Sequence, residues 1–262
     1  MSTPSIPGAS AWCVRFPAAA LAGAAALLEF GELGRVAIAE ARTPDALPED
    51  RDALLILHLP GGSASPPDAR QAAEDWIAGP GLVDLVLQSD RILWRPGRAV
   101  VIGAATDFDA YLRGLASFGF YESELRRLEA DLAAWWPVAQ ADVGLTHRVD
   151  NAAVRRWSHV GEMTEAIAGA RFRHVAIEGP LEKGPDALPG LARRLFIELA
   201  LRREGAHRLE RLDDKIDAVA DLYELANDRI SEFSYFRREY VLEFLIIGVL
   251  ALEVLLLLYE LM

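Results

Sequence analysis

The final segment of the chain is its most continuous apolar run. Residues 241–262 read VLEFLIIGVLALEVLLLLYELM, with one glycine and three glutamates among the apolar residues. A helix of this length rises about 33 Å, close to the thickness of the hydrocarbon core of a bilayer. Tyr240 and Tyr259 suit the two interfacial zones, and Arg237 and Arg238 would stay on the cytoplasmic side. The pattern predicts a single C-terminal transmembrane anchor.

Three residues within this segment are predicted to form a membrane or oligomer interface. Glu253 lies in mid-span, where an ionised carboxylate is costly in lipid, so we expect it to face a partner helix. Gly248 and Glu243 complete the predicted interface. The alternative is that the segment spans no membrane and is a very apolar helix buried in the core of an oligomer.

Upstream of this segment, apolar residues recur at alternating spacings of three and four. This spacing is typical of a coiled-coil seam. The predicted seam contains Leu209, Leu212, Ile216, Val219, Tyr223, Ala226, Ile230 and Phe233. Charged residues occupy the other faces, as on a solvated helix. The seam fits a helical hairpin within one chain and a helix pair between chains equally well. A shorter helix, 191–203, is predicted before it, with a break at Gly205.

The first hundred residues alternate between short apolar runs and turn signals. Strands are predicted at 11–16, 35–40, 53–59, 82–88, 91–94 and 98–102, and helices at 18–30 and 66–77. The fold class is therefore α+β, with a mostly antiparallel sheet and helices on one face, and a ferredoxin-like order suits its first part. From residue 107 the pattern becomes helical: a long helix closed by Pro137, a second helix at 142–169, and an irregular stretch at 173–180.

These elements predict four regions along the chain. They are an α+β head (1–105), a helical region (106–180), a helical hairpin or coiled-coil stalk (181–240), and the anchor (241–262). The chain, 262 residues long, is large enough to bury a substantial core.

Charge and cysteine content exclude several classes of function. The net charge of -12 argues against broad nucleic-acid binding, and we expect no DNA partner. One basic stretch stands out, with Trp157 and Phe172 between its arginines. It contains Arg148, Arg155, Arg156, Arg171 and Arg173. This stretch could contact RNA or anionic head groups, or it could be an ordinary solvated helix face.

No motif in the chain predicts catalysis, a cofactor or a metal. A single cysteine, Cys13, cannot form an intrachain disulfide or a cysteine-based metal cluster. The five histidines do not form an HExxH pair, and the sequence PGGS at 60–63 lacks the lysine of a phosphate-binding loop. We therefore predict no catalytic residue, no cofactor and no metal ligand.

The C-terminal part resembles the Required-for-Meiotic-Nuclear-Division family, a domain of unknown function in bacteria and mitochondria. The similar segments are LEKGPD at 181–186, the heptad at 209–233, LEFLII at 242–247 and LEVL at 252–255. Glu243 and Glu253 reproduce a spacing of ten residues between two glutamates, while Phe244 stands where the family has tryptophan. The resemblance implies a membrane-anchored, self-associating protein without established catalysis. Mitochondrial members support the translation of organellar proteins.

The sequence thus predicts a membrane-anchored, self-associating scaffold or tether with a cytoplasmic α+β head. Its expected location is the bacterial inner membrane, in a single-pass topology. The expected partners are the lipid bilayer, further copies of the chain, and a protein, RNA or ribosome. Two alternatives remain: the head binds a nucleotide or small ligand or is an enzyme, or the chain tethers RNA or ribosomes to the membrane.

Overall fold

The chain combines an N-terminal mixed sheet with a helical C-terminal half, which confirms the α+β class. The structure, a computed structural model, describes residues 6, 8–16, 26–30, 33–41, 53–61, 65–147 and 149–260, with the side chains of the last helix described through Val254. Two compact units share the chain. One comprises Met1–Ala130 and Phe172–Leu212, and the other comprises Asp131–Arg171 and Asp213–Met262. The boundaries of the four predicted regions stay predictions.

The first unit contains a sheet of seven described strands. They are β1 (Ser10–Arg15), β2 (Ala26–Glu29), β3 (Arg35–Ala41), β4 (Ala53–Pro60), β5 (Val83–Leu87), β6 (Asp90–Arg95) and β7 (Arg98–Gly103). Their order is β2-β3-β1-β4-β7-β6-β5. β4 pairs with β7 in parallel, and the other neighbours are antiparallel. The first four strands lie in the order β4-β1-β3-β2 with antiparallel pairing, which is the ferredoxin-like strand order predicted for the first part. The parallel pairing of β4 with β7 makes the whole sheet mixed.

Helices cover both faces of this sheet, so the prediction of helices on one face is wrong. Helix α1 (Pro67–Ile77) packs on one face, where its buried residues share a core with Leu57 and Leu59 of β4. Helix α2 (Phe108–Asp142) packs on the other face, where the ring of Phe118 lies 4.9 Å from that of Trp94. The physical reason lies in β4, whose apolar side chains are buried on both of its faces, as in a central strand.

The helix predicted at 18–30 is also wrong where it can be compared. Residues 26–29 form β2, which pairs with β3 so that Leu28 opposes Val36. The aromatic ring of Phe30, just after the strand, stacks on Phe120 of α2 at 4.7 Å. Pairing with β3 overrides the helical preference of the alanine-rich run. Residues 18–25 lie outside the described part of the chain.

Several of the remaining helices have other bounds than the sequence pattern predicts. After α2 and a short 3-10 helix (Val143–Thr146) come α3 (Asn151–Arg155), α4 (Trp157–Lys183), α5 (Gly190–Arg202) and α6 (Gly205–Glu260). Pro137 does not close α2, and Pro180 lies inside α4, so 173–180 is helical and not irregular. A proline removes one backbone hydrogen bond, and buried residues such as Leu132 and Ala139 hold α2 on both sides of Pro137.

The structure contradicts the predicted transmembrane anchor. Among the residues that it describes, no helix is both long and apolar enough to cross a membrane. The apolar run with described side chains, 241–254, rises about 21 Å, against about 30 Å for the hydrocarbon core of a bilayer. This run also contains Glu243 and Glu253. The side chains of 255–262 lie outside the described part. The same finding contradicts the predicted single-pass topology and inner-membrane location.

A buried charge network fixes the start of α6 in the first unit. Arg208 is 9 % exposed and binds both carboxylate oxygens of Glu122, and its other nitrogens lie 2.8 Å from the carboxylate of Glu129. Arg203 adds a second cation 3.2 Å from Glu122. Burial alone would raise the pKa of Glu129, but the hydrogen bonds and charge of Arg208 outweigh it and hold this pKa below its usual value. These contacts tie α6 to α2.

In the second unit, α4 and α6 run antiparallel. His159 of α4 lies near Tyr223 of α6, with ring centroids 6.4 Å apart. Further along α4 and earlier on α6, Arg171 forms an ion pair with Asp217. As the residue number rises on α4 it falls on α6, which defines the antiparallel pairing.

Candidate functional site

The long helix α6 has two parts with different surroundings. The predicted seam residues from Leu209 to Ile230 are all buried in the chain itself, at 5 % exposure or less. We call these the upstream stripe: Leu209, Leu212, Ile216, Val219, Tyr223, Ala226 and Ile230. Phe233, the last residue of the predicted seam, is half-buried. The upstream stripe therefore packs within one chain, the first of the two arrangements that the sequence left open.

The second part, residues 241–254, is exposed along its whole length. We call it the apolar helix end. Its large apolar side chains are each more than half exposed, from Ile246 at 51 % to Phe244 at 73 %. Around Gly248 there is open space, because no heavy atom would lie within 4 Å of an added Cβ. The described part of the chain leaves the large side chains of this segment mostly uncovered.

The apolar helix end has no polar face. At 100° per residue, Val241, Leu242, Leu245, Val249 and Leu252 lie along one side. The opposite side carries Phe244, Ile247, Ala251 and Val254, with Glu243 as its charged residue. A helix that is apolar all round is normally buried on several sides. The composition therefore favours an interaction of this segment with another apolar surface.

A cleft opens where the apolar helix end begins. Its volume is about 370 Å³. One wall is Val154 of α3, and the other is a face of α6 formed by Ser234, Arg237, Arg238, Val241, Leu242 and Leu245. Along this face the chain passes first through a cationic part and then through an apolar part. Arg238 follows Ser234 by one helical turn and precedes Leu242 by another. Such a cleft suits an apolar segment that carries a negative charge.

Opposite charges mark the two ends of the cleft-facing side of α6. Arg238 is exposed at the upstream end, and Glu253 is exposed near the downstream end. Fifteen residues separate them, so they lie about 22 Å apart along the helix axis and about 60° apart around it. Glu243 lies about 140° from Arg238, on the opposite side. The cleft-facing side thus has a cation, an apolar run and an anion in that order.

A buried polar cluster lies in the same unit as the cleft. Asp142, 1 % exposed, accepts a hydrogen bond from Tyr223 Oη at 2.8 Å and lies 2.8 Å from His159 Nε2, and it also binds Arg156. Burial would raise the pKa of Asp142, but these three partners outweigh it and hold this pKa below its usual value. The carboxylate is fully occupied by side chains of the chain itself, so its role is to join α2, α4 and α6.

The head contains a second buried polar cluster. Tyr111 Oη donates to Asp90 Oδ2 at 3.0 Å, and the backbone N–H of Ala104 donates to Asp90 Oδ1 at 3.1 Å. Nearby, His58 Nε2 lies 3.3 Å from the carbonyl oxygen of Gly103, and its ring stacks on Phe108. Burial lowers the pKa of His58. All these groups have partners inside the fold, which is the pattern of a structural cluster that joins strands to α2.

The predicted basic stretch is partly neutralised. Arg156 binds Asp142 and Arg171 binds Asp217, both in the second unit. Arg155 is exposed, and Arg173 belongs to the first unit. Arg148 lies outside the described residues. The structure does not assemble these arginines around one open surface within either unit.

Other chemistry finds little support in the geometry. Within the described ranges, no three His, Cys, Asp or Glu side chains lie close enough together to hold a metal ion. Cys13 is buried in β1, and burial raises the pKa of its thiol. The arrangement that remains is a docking surface: the cleft and the apolar helix end that continues it.

Sequence reasoning missed one wall of the cleft and the buried cluster in the same unit. Val154 contributes a wall of the cleft, and no periodicity connects it to α6 across eighty residues of chain. The cluster around Asp142 was also missed, since its partners come from two other helices. By contrast, the cleft-facing residues of α6 follow helical spacing and could have been found from the sequence alone.

Two comparisons with known proteins give no match. No protein-family model matches the chain, and no curated protein matches it significantly. The resemblance to the Required-for-Meiotic-Nuclear-Division family stays a prediction.

Proposed function

We propose that this protein is a self-associating scaffold whose copies are joined through the apolar helix end of α6. The observation that carries the proposal is the contrast within this helix: the upstream stripe is buried by its own chain, and the large side chains of 241–254 are more than half exposed. The assembled helices would hold the α+β units together in several copies and present their surfaces to other molecules.

The energetic argument rests on apolar area. Fully burying a Val, Leu, Ile or Phe side chain is worth about 1.5–3 kcal/mol relative to leaving it in water. Ten such side chains are exposed in 241–254. Even if an assembly covers half of this surface, the gain is of the size needed to offset the entropy lost on association. A second copy is the partner that is always present at the same concentration.

Charge supports self-association through this segment and not through the rest of the surface. With a net charge of -12, two copies repel each other over most of their surface. The cleft with Arg237 and Arg238 is a local exception. A contact that uses the cleft and the apolar helix end therefore meets the least repulsion.

The test replaces exposed apolar residues in the full-length chain. In the triple variant Leu242→Gln, Leu245→Gln and Val249→Gln, we expect the assembly to fall to monomers at concentrations where the original chain is assembled. Sedimentation velocity gives the mass, and thermal unfolding at high dilution shows that the fold persists. The three residues are exposed, so the monomer should unfold within about 0.5 kcal/mol of the original stability.

A matched control removes exposed apolar side chains elsewhere. Phe172, Val175 and Leu201 are 80 %, 67 % and 71 % exposed. Changing these three to glutamine should leave the mass unchanged. If the control triple dissociates the assembly and the α6 triple does not, the association surface lies elsewhere and the proposal fails.

The other hypotheses have no specific observation in their favour. A ligand-binding or enzymatic head and an RNA or ribosome tether both stay predictions of the sequence. In the described residues, the polar clusters of Asp90 and Asp142 are satisfied internally, which does not favour the first of these.

A further inference from the structure

We propose that two copies pair antiparallel along the cleft-facing side of α6, so that Arg238 of each copy meets Glu253 of the other. This inference rests on the proposed self-association and specifies its geometry. The pairing is isologous: the same surface is used on both chains, related by a two-fold axis near Leu245.

The first support is the order of residues along this side of the helix. An antiparallel pair in which residue numbers sum to about 491 places Leu242 beside Val249 of the second copy and Leu245 beside Ile246. Both ends of the pair then bring a cation beside an anion, since Arg238 lies opposite Glu253. Apolar side chains fill the centre and charges close both ends, the usual layout of an association surface.

A parallel pair does not have this property. It would place Arg238 beside Arg238 of the second copy and Glu253 beside its own equivalent. Like charges held side by side oppose association. The charge order along α6 therefore selects the antiparallel arrangement.

The cleft supplies a second, independent support. In the antiparallel pair, the downstream part of the second copy's helix runs past residues 234–245, which form one wall of the cleft. Val249 of that copy lies beside Leu242 in the apolar part of the cleft, and Glu253 lies beside Arg238 in its cationic part. One partner of stated sequence thus matches both the apolar and the charged parts of the cleft.

Charge reversal tests the ion pair. We expect Arg238→Glu and Glu253→Arg, each alone, to raise the dissociation constant at least about tenfold, since each creates two like-charge contacts. The double variant on one chain restores both pairs with reversed polarity and should return to within about threefold of the original. Glu243→Arg is the matched control, because it changes the net charge as Glu253→Arg does but lies on the opposite side, and it should have little effect.

Cysteine cross-linking tests the direction. In full-length protein with Cys13→Ala, Leu245→Cys lies near the two-fold axis and should form an intermolecular disulfide under mild oxidation. Leu252→Cys lies opposite residue 239 of the second copy, about 20 Å from its equivalent, and should not cross-link. A parallel pair would cross-link at both positions.

The two proposals fail in different ways. An assembly that forms but tolerates both charge reversals, or cross-links at residue 252, overturns the antiparallel pairing and leaves self-association standing. A chain that remains monomeric at every concentration overturns both.

Discussion

The two parts of α6 carry similar numbers of apolar residues but are packed in opposite ways. From Leu209 to Ile230 the apolar residues form one stripe, charged residues fill the other faces, and the stripe is buried in the chain. From Val241 to Val254 they surround the helix and remain exposed. A stripe needs one neighbour, which the chain supplies. A helix that is apolar on every side needs more neighbours than one chain provides.

Charges follow the same division. Just before the upstream stripe, Arg208 is buried and bound by two carboxylates, and within the stripe Tyr223 donates a hydrogen bond to the buried Asp142. Glu243 and Glu253 in the apolar helix end are exposed, as is Arg238 just before it. Buried charges that are paired fix a fold, and exposed charges on an apolar surface select a partner and its orientation.

The largest expected effect on stability comes from the buried charges of the upstream part. Arg208→Ala leaves Glu129 without its main partner and Glu122 with Arg203 alone. We expect a loss of about 3–5 kcal/mol, measured by urea unfolding. Arg113→Ala, which breaks an exposed pair with Asp109, should cost less than about 0.5 kcal/mol and serves as the control. Equal effects of the two variants would contradict the account of the buried network.

A pair of truncations compares the two parts of α6 directly. Ile216→Ala, at 2 % exposure, should lower the unfolding free energy by about 2–4 kcal/mol without changing self-association at concentrations where the fold is intact. Leu245→Ala, at 62 % exposure, should leave the monomer's stability nearly unchanged and weaken self-association. Unfolding measurements give the stability of each variant, and sedimentation gives the strength of its self-association. If Leu245→Ala destabilised the monomer as Ile216→Ala does, the helix end would be packed within the chain.

A smaller effect depends on pH. Asp142→Asn should cost about 2 kcal/mol near pH 7, because it weakens hydrogen bonds to a buried charge. The folded-state pKa of Asp142 lies below its unfolded value, so its contribution is present above about pH 4 and is lost as pH falls through the folded pKa. The difference between the original chain and the variant should therefore shrink in acid.

The control for this pH dependence is Asp109→Asn, an exposed aspartate in an i,i+4 pair. It should change the unfolding free energy by less than about 0.5 kcal/mol both at pH 7 and at pH 3. A difference between Asp142→Asn and the original chain that stayed constant from pH 7 to pH 3 would show that Asp142 is not held ionised in the fold.

Periodicity predicted the parts of the fold that depend on local pattern. Six of the predicted strands, the helix at α1 and the upstream stripe coincide closely with observed elements. The failures occurred where distant contacts decide. β2 forms because β3 offers an edge, and the helices α2 and α4 continue through prolines because buried residues hold them. The break expected at Gly205 falls at Glu204, which adopts a φ of 54°, and Gly205 begins α6.

The candidate site shows the same limit. The helical spacing of α6 predicts which residues share the cleft-facing side and in what order their charges occur. It could not show that Val154 forms the other wall of the cleft. Apolar composition alone also led to a membrane anchor, which the described part of the helix does not support. The sequence did not show that the upstream stripe is buried by its own chain while the apolar helix end stays exposed.

The most direct test of the central claim is the mass of the full-length protein as a function of concentration, measured by sedimentation equilibrium. The account predicts a reversible rise from the monomer mass of 28.7 kDa to a dimer or a larger even-numbered assembly, at concentrations set by the apolar helix end. A mass that stays at 28.7 kDa across the whole range would contradict it, since the exposed helix end would then have no partner in a second copy.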